Sequence, residues 1–121
     1  MKINEMMKLK LEQYVYALAD RFIEGYTGGT WNYDAANCVW YPAREQDHKI
    51  GNCDNYYEGT MNSRAVGVAL SCMAANRMLW REYERGNMVA AKQWDAVYKT
   101  ITRTINTLDE DMQAQVFRFL D

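Results

Sequence analysis

The chain has 121 residues, which is the size of one domain with a single hydrophobic core. Hydrophobic residues make up 49% and charged residues 25%, as in an ordinary globular protein. Fourteen Lys and Arg residues against sixteen Asp and Glu residues give a net charge of −2. This balance argues against direct binding of nucleic acid, which needs clustered cations, and against mimicry of DNA, which needs dense negative charge.

The sequence shows no membrane-spanning or secretory signal. No apolar run approaches the roughly 20 residues of a membrane span, and the start "MKINEMMKLKLEQ" has charges scattered through it. The cysteines are odd in number and lack the spacing of a disulfide framework, which favours reduced thiols. We expect all three, Cys38, Cys53 and Cys72, to be small buried side chains. We predict one cytoplasmic domain over residues 1–121, with no membrane contact.

The first predicted element is a helix over residues 4–25. Its apolar residues recur at steps of three and four, as a one-sided helical stripe requires: Met7, Leu11, Val15, Leu18 and Phe22. We expect this helix to end near Gly25, with Gly28 and Gly29 just beyond it. Because glycine reaches positive φ without penalty, this pair is predicted to turn the chain into the strands that follow.

A β region comes next. The segments "TWNY" and "CVWY" predict two short strands joined by the turn "DAAN", and Pro42 should end the second strand. A weaker strand around residues 49–50 and a further short one in "YYEGT" follow. These lengths fit a small antiparallel β-meander of three to four strands.

Helical spacing returns after Thr60. Asn62 is a predicted N-cap for a helix over residues 65–85, which Gly86 should end. One face of this helix carries small residues four apart, which would let a neighbouring element approach closely, and another carries large apolar residues. The small residues are Gly67, Ser71 and Ala75, and the large ones are Val66, Leu70, Met73 and Trp80.

Two more helices complete the predicted fold. The first carries Trp94, Val97, Ile101, Ile105 and Leu108. The last should begin at a capping box of Thr107 and Glu110 and turn Met112, Val116 and Leu120 inward. The fold class is therefore α+β: an N-terminal helix, the meander and three C-terminal helices.

Catalytic motifs are missing from the sequence. His48 is the only histidine and stands in a polar stretch, so we expect it to be solvated. Cys38, His48, Cys53 and Cys72 could supply four zinc ligands, but their intervals are irregular and contain no close pair. We predict neither an enzyme nor a bound metal or cofactor. The alternative is a small enzyme or ligand-binding module with a pocket at the helix–sheet junction.

The β region is dense in aromatic residues: Trp31, Tyr33, Trp40, Tyr41, Tyr56 and Tyr57. Helices could cover both of its faces, or it could form a partner-binding surface, since Tyr and Trp are enriched at protein–protein hot spots. On the second interpretation the critical residues are those that the core does not need. We predict Tyr41, Asp54, Tyr57 and Glu58 as partner-binding residues, whereas Trp31 should pack in the core.

Three segments resemble a known family. "EGYTGGTWNY" is similar to the Glu-x-Tyr-Thr-Gly-Gly-x-Trp-x-[Phe/Tyr] block of the ArdB/KlcA-type antirestriction proteins. "NYYEGTMNSRAVGVAL" resembles their Asn-Gly-[Tyr/Phe]-Glu-Gly-Thr-Leu-Ser-Ala-Asp-Ala-Ala-Gly-Ile-Val-Ala block, and "VFRFLD" resembles their Ile-Phe-x-x-Ile-Asp ending. The matching residues of the second block are Glu58, Gly59, Thr60, Ala65 and Gly67.

The chain also departs from the family pattern. "NCVWYPA" stands where the family usually has Asn-Gly-Gly-Phe-Tyr-Met-Ala-Pro, so Cys38 and Val39 replace two glycines. Arg64 stands where the family has an acidic residue. We expect Gly28, Gly29 and Gly59 to serve as structural turn positions.

The resemblance implies a role in defeating host DNA defence. Proteins of this type are carried by plasmids, phages and other mobile elements, and they relieve type I restriction of incoming DNA. The implied partner is a host restriction complex or another defence complex such as CRISPR. We expect the protein to act by protein–protein contact or through a host intermediary, without direct nucleic-acid binding.

Overall fold

The computed structural model describes residues 2–121, so Met1 of the predicted domain lies outside the described part. Four helices and four strands follow one another in the expected order, which confirms the predicted α+β class. They are α1 Glu5–Phe22, β1 Trp31–Asp34, β2 Val39–Pro42, β3 Asp47–Asn52, β4 Tyr57–Asn62, α2 Ser63–Glu84, α3 Met88–Ile105 and α4 Glu110–Leu120.

The four strands form two separate antiparallel hairpins and not one continuous meander. β1 pairs with β2, and β3 pairs with β4. One isolated bridge, between Ile23 and Ile50, joins the end of α1 to the second hairpin. The N–H of Glu24 donates to the Lys49 carbonyl over 2.9 Å and strengthens this junction.

This junction ends α1 earlier than the sequence predicted. Ile23 is already extended, at φ −88° and ψ 121°, so the helix stops at Phe22 and does not reach Gly25. Gly28 and Gly29 lie in the loop that leads to β1 and have φ values of 98° and 123°. They therefore do have the positive φ expected of them, but they shape the approach to the strand and do not terminate the helix.

The long helix α2 lies against the first hairpin through its small residues. A Cβ atom added to Gly67 would lie 2.7 Å from the Trp40 carbonyl oxygen and equally close to Tyr41 Cα. Beside it, Ser71 Oγ accepts from the Trp40 N–H over 3.0 Å and donates to the Trp40 carbonyl over 3.2 Å. The prediction that small residues admit a neighbouring element is confirmed, and that element is β2.

The remaining core forms where α3 and α4 pack on α2. The predicted stripe of α3 is buried from Trp94 to Ile105, and Val116 and Phe119 bury the inner face of α4. The sequence prediction omitted Phe119, the largest side chain with less than 2% exposure.

Two details of the predicted helices are wrong. Trp80 is 54% exposed, because α2 turns this position away from its neighbours. The capping box of Thr107 and Glu110 is not formed. Thr107 lies in the turn that directly follows α3, and its Oγ1 donates to the Thr104 carbonyl over 2.6 Å. Asp109 caps α4 instead and accepts from the Met112 N–H over 2.9 Å.

The contact between Gly67 and β2 yields a stability prediction. We expect Gly67→Ala to lower the free energy of unfolding by about 3 kcal/mol, because the new methyl group would have to push back a strand backbone. Gly51→Ala is the matched control, since its nearest neighbour would be 3.3 Å away, and it should cost less than about 1 kcal/mol. Urea titrations of the purified variants measure both values, and equal stabilities would contradict the packing argument.

Candidate interaction surface

The four predicted partner-binding residues fall on two different hairpins. Tyr41 lies on β2 and is half-buried, whereas Asp54 is exposed in the turn between β3 and β4. Tyr57 and Glu58 begin β4 with opposite exposure: Tyr57 is buried and Glu58 is exposed. The structure thus groups three of them at one end of the second hairpin and places Tyr41 apart on the first.

Tyr41 is held at the surface by a residue of α2. The Arg64 guanidinium lies 5.1 Å from the centroid of the Tyr41 ring, within the range of a cation–π contact. The Nη2 atom of the same guanidinium donates to Asp34 Oδ2 over 2.7 Å. Arg64, which the sequence comparison noted only as a departure, therefore joins α2 to both strands of the first hairpin.

Asp34 also builds the turn of that hairpin. Its Oδ1 accepts from the N–H groups of Ala36 and Asn37, and its Oδ2 accepts from the Asn37 side chain over 2.9 Å. Partial burial acts to raise the pKa of Asp34, but the hydrogen bonds from Asn37 and the ion pair with Arg64 outweigh it and hold the pKa below its usual value. The carboxylate stays ionised, and the turn and the Tyr41 ring are fixed together.

The turn of the second hairpin is fastened to the end of α4. The side-chain amide of Asn52 donates to the Phe119 carbonyl over 3.0 Å, and that of Asn55 donates to the carbonyls of Arg118 and Phe119. The side-chain oxygens of the same asparagines accept from the N–H groups of Asp54 and Tyr57. These bonds satisfy carbonyl groups that the end of a helix would otherwise leave without partners.

Tyr57 belongs to the core, contrary to the premise on which it was chosen. It is 7% exposed, its hydroxyl donates to Gln115 Oε1 over 2.7 Å, and its ring lies edge-on to Phe119. Burial raises the pKa of the Tyr57 hydroxyl. Strand alternation turns this side chain inward, whereas the next residue, Glu58, faces solvent.

Gly59 is not a turn residue. It lies inside β4, opposite Ile50, and its φ is not among the positive values. Its role is a close approach: an added Cβ would overlap Tyr57 Oη and Gln115 Oε1, the two atoms of the hydrogen bond to α4. Glycine is needed here for space and not for backbone freedom.

Asp54 and Glu58 are the exposed part of the predicted set. Asp54 Oδ2 lies 3.6 Å from Arg21 Nη2, and both side chains are more than half exposed, so the pair contributes little to stability. Glu58 forms no ion pair with any of residues 2–121. With Tyr41, these carboxylates are the predicted residues that remain available to a partner.

Two residues other than glycine have positive φ, Cys38 at 59° and Tyr56 at 61°. In the register of the family blocks quoted above, each stands where the pattern has glycine. Left-handed backbone costs a residue with a Cβ about 1–2 kcal/mol, and glycine avoids this cost. The left-handed backbone at Cys38 and Tyr56 therefore gives a physical reason for glycine at these two positions of the pattern.

His48 is buried and not solvated, which corrects the expectation from sequence. It is 8% exposed, and its Nε2 lies 2.9 Å from Ser63 Oγ, at the start of α2. That hydroxyl also donates to the Arg44 carbonyl over 2.7 Å. Burial lowers the pKa of His48, although the nearby carboxylates of Glu45 and Asp47 act in the opposite direction.

A cleft of about 730 Å³ opens between the glycine loop and the two hairpins. It runs from Ile23, at the end of α1, along the loop over residues 24–30 to Arg44 and His48. This is the helix–sheet junction at which the alternative hypothesis expected a pocket.

The cysteines and helices add three further findings. Cys38 and Cys72 are buried as expected, but Cys53 is exposed in the second hairpin turn. Within residues 2–121, no three His, Cys, Asp or Glu side chains lie close enough together to hold a metal ion. None of the helices in this range is long and apolar enough to cross a membrane.

The chain is similar to two curated proteins of Escherichia coli K12. It is 31% identical to "Putative antirestriction protein YubI" over an alignment of 84 residues that covers 66% of this chain and 58% of YubI. It is 35% identical to "Uncharacterized protein YafX" over an alignment of 71 residues that covers 54% of this chain and 47% of YafX. The chain thus matches about half the length of these relatives.

A scan against protein-family models matched none of them. The similarity to YubI supports the antirestriction part of the resemblance. Neither of these relatives' names specifies the ArdB/KlcA type.

The positive φ of Tyr56 leads to a stabilising substitution. We expect Tyr56→Gly to raise the free energy of unfolding by about 1 kcal/mol, because it removes the left-handed strain and loses no packing from a side chain that is 93% exposed. Tyr56→Ala is the control, since it also removes the ring but keeps the Cβ. An equal gain from both variants in urea titrations would show that the backbone is not the cause.

The buried histidine leads to a prediction about pH. Because the pKa of His48 is lower in the folded protein than in the unfolded chain, the unfolded chain binds more protons as the pH falls through about 6.5. We expect the free energy of unfolding to be lower at about pH 5 than at about pH 7.5, and this difference should shrink in His48→Gln. Thermal melts across this range measure the effect, and an unchanged slope in the variant would contradict it.

Proposed function

We propose that this protein is an antirestriction-type inhibitor of host DNA defence, of the ArdB/KlcA type and encoded by a phage, plasmid or other mobile element. It acts in the host cytoplasm by contact with a restriction or other defence protein complex, without catalysis, cofactor or direct nucleic-acid binding. Type I restriction–modification is the first target to test.

The observation that carries this proposal is the similarity to YubI over 84 residues. In the two long segments that resemble the antirestriction pattern, Gly28, Gly29 and Tyr56 have positive φ, and each stands at a glycine of that pattern. This agreement between backbone geometry and sequence pattern supports a shared local structure.

The exposed residues support an inhibitor that works by protein contact. Asp54 and Glu58 give one end of the second hairpin a mild negative charge, far below that of a DNA duplex, which has about one charge per 1.7 Å of its axis. Tyr41 adds an aromatic ring that Arg64 holds in place, and ordered aromatic residues are frequent at hot spots.

A second candidate function rests on the cleft of about 730 Å³ beside the glycine loop. Its size is that of a small-molecule site, so it favours a ligand-binding module or a small enzyme. Protection of DNA in cells separates the two functions, because a ligand-binding module has no reason to relieve restriction. An inhibitor of CRISPR or another nuclease would protect only in hosts that use that system.

The proposed function predicts protection of incoming DNA. Unmodified phage or plasmid DNA should survive better in a type I restricting host that expresses this protein than in the same host without it. Truncation of an interface residue can cost roughly 2 kcal/mol of binding, about thirtyfold in affinity, with little effect on stability. We therefore expect Tyr41→Ala and Glu58→Ala to reduce protection, as measured by efficiency of plating.

Matched variants separate loss of contact from loss of folding. Tyr83→Ala and Glu84→Ala remove an exposed tyrosine and an exposed carboxylate from α2 and should retain protection. Trp31→Ala should lose protection by unfolding, at a cost of roughly 3–5 kcal/mol. If every inactive variant is also unfolded in thermal melts, the contact surface is wrong. If the wild-type protein gives no protection in hosts with several type I systems, type I restriction is excluded as its target.

A further inference from the structure

A groove of about 650 Å³ between α1 and α2 concentrates positive charge. Five cationic side chains and one carboxylate, that of Glu82, line this groove, although the net charge of the protein is −2. The cations are Lys10, Arg21, Arg77, Arg81 and Arg85. Charge that is scattered along the sequence is therefore gathered on one face of the folded chain.

Most of this charge is not neutralised by the protein. Within residues 2–121, no carboxylate forms an ion pair with Lys10, Arg77 or Arg81. Arg85 approaches Glu82 at 3.6 Å, but its own side chain is 69% exposed. The Glu82 side chain is only 9% exposed. In the pair of Arg21 with Asp54 both side chains are more than half exposed, so that pair gives up little energy when an outside anion competes for the cation.

The cations are arranged along a line. Arg77 and Arg81 lie on α2 and Arg85 is its C-cap, so the three follow one another at steps of four, which places successive side chains about 6 Å apart along the helix axis. Arg81 lies over the Tyr14 ring at 5.8 Å, so the aromatic face positions its guanidinium. The half-buried Tyr14 and the exposed Ala17 of α1 give the groove an apolar side opposite the arginines.

We propose that this groove binds an acidic amphipathic helix of a partner protein. Carboxylates four residues apart on such a helix repeat every 6 Å, as the arginines do, and its apolar residues would cover Tyr14 and Ala17. Duplex nucleic acid fits less well, because its outer surface is a phosphate backbone that would leave the apolar side of the groove uncovered. The proposal goes beyond the antirestriction role and does not depend on it.

A binding measurement with purified protein tests the groove directly. The probe is a synthetic helical peptide of about 18 residues with glutamates at i and i+4 and leucines on the adjoining face. We expect Arg77→Glu and Arg81→Glu each to weaken binding about tenfold, because each replaces an attraction with a repulsion. Lys92→Glu, which makes the same charge change on an exposed site of α3 outside the groove, should leave the affinity unchanged.

Four results would overturn the proposal. The first is no binding of the peptide at millimolar concentration, and the second is an equal loss of affinity in Lys92→Glu. The third is tighter binding of a single-stranded oligodeoxynucleotide of the same charge, which would assign the groove to nucleic acid. A peptide of the same composition in scrambled order should bind more weakly, and equal binding would refute the amphipathic fit. Circular dichroism of each variant confirms that the fold is retained.

Discussion

The close approach of β2 to α2 is the contact on which the rest of this structure depends. It is possible only because Gly67 has no side chain, so that the strand backbone at Trp40 and Tyr41 lies against the helix. The Ser71 hydroxyl then forms hydrogen bonds with both the N–H and the carbonyl of Trp40, which would otherwise be unpaired at a buried strand edge. With the first hairpin fixed there, α2 is free to pack α3 and α4 on its other sides.

The two hairpins are anchored to different helices. The first is held to α2 by Gly67, Ser71 and Arg64, whereas the second is held to the end of α4 by the side chains of Asn52 and Asn55. The segments "NYYEGT" and "VFRFLD" are more than fifty residues apart in the sequence, but they meet at this second anchor. Two of the blocks that carry the family resemblance therefore form a single structural unit.

The folded chain presents two faces of opposite charge. Of the six aromatic residues that suggested a binding surface, Trp31, Trp40 and Tyr57 are buried, and the exposed Tyr56 lies in the turn of the second hairpin beside its carboxylates. The basic groove lies between α1 and α2, and the ion pair of Arg21 with Asp54 joins the two faces. If the proposed role as an inhibitor is correct, contacts of opposite polarity on one small domain would fix its orientation on a partner protein.

The sequence by itself determined the α+β class, the order of the elements, the helix stripes and the small-residue face of α2, because each depends on local periodicity. It also indicated the positive φ of Gly28 and Gly29, which is a property of single residues. The tertiary structure alone decided that Tyr57 is buried, that His48 is enclosed by Ser63, and that Gly59 serves a close approach. The spacing of Arg77, Arg81 and Arg85 was visible in the sequence, but the groove needs α1 beside it. Burial and charge clustering depend on which elements pack together, and no local pattern of residues encodes that choice.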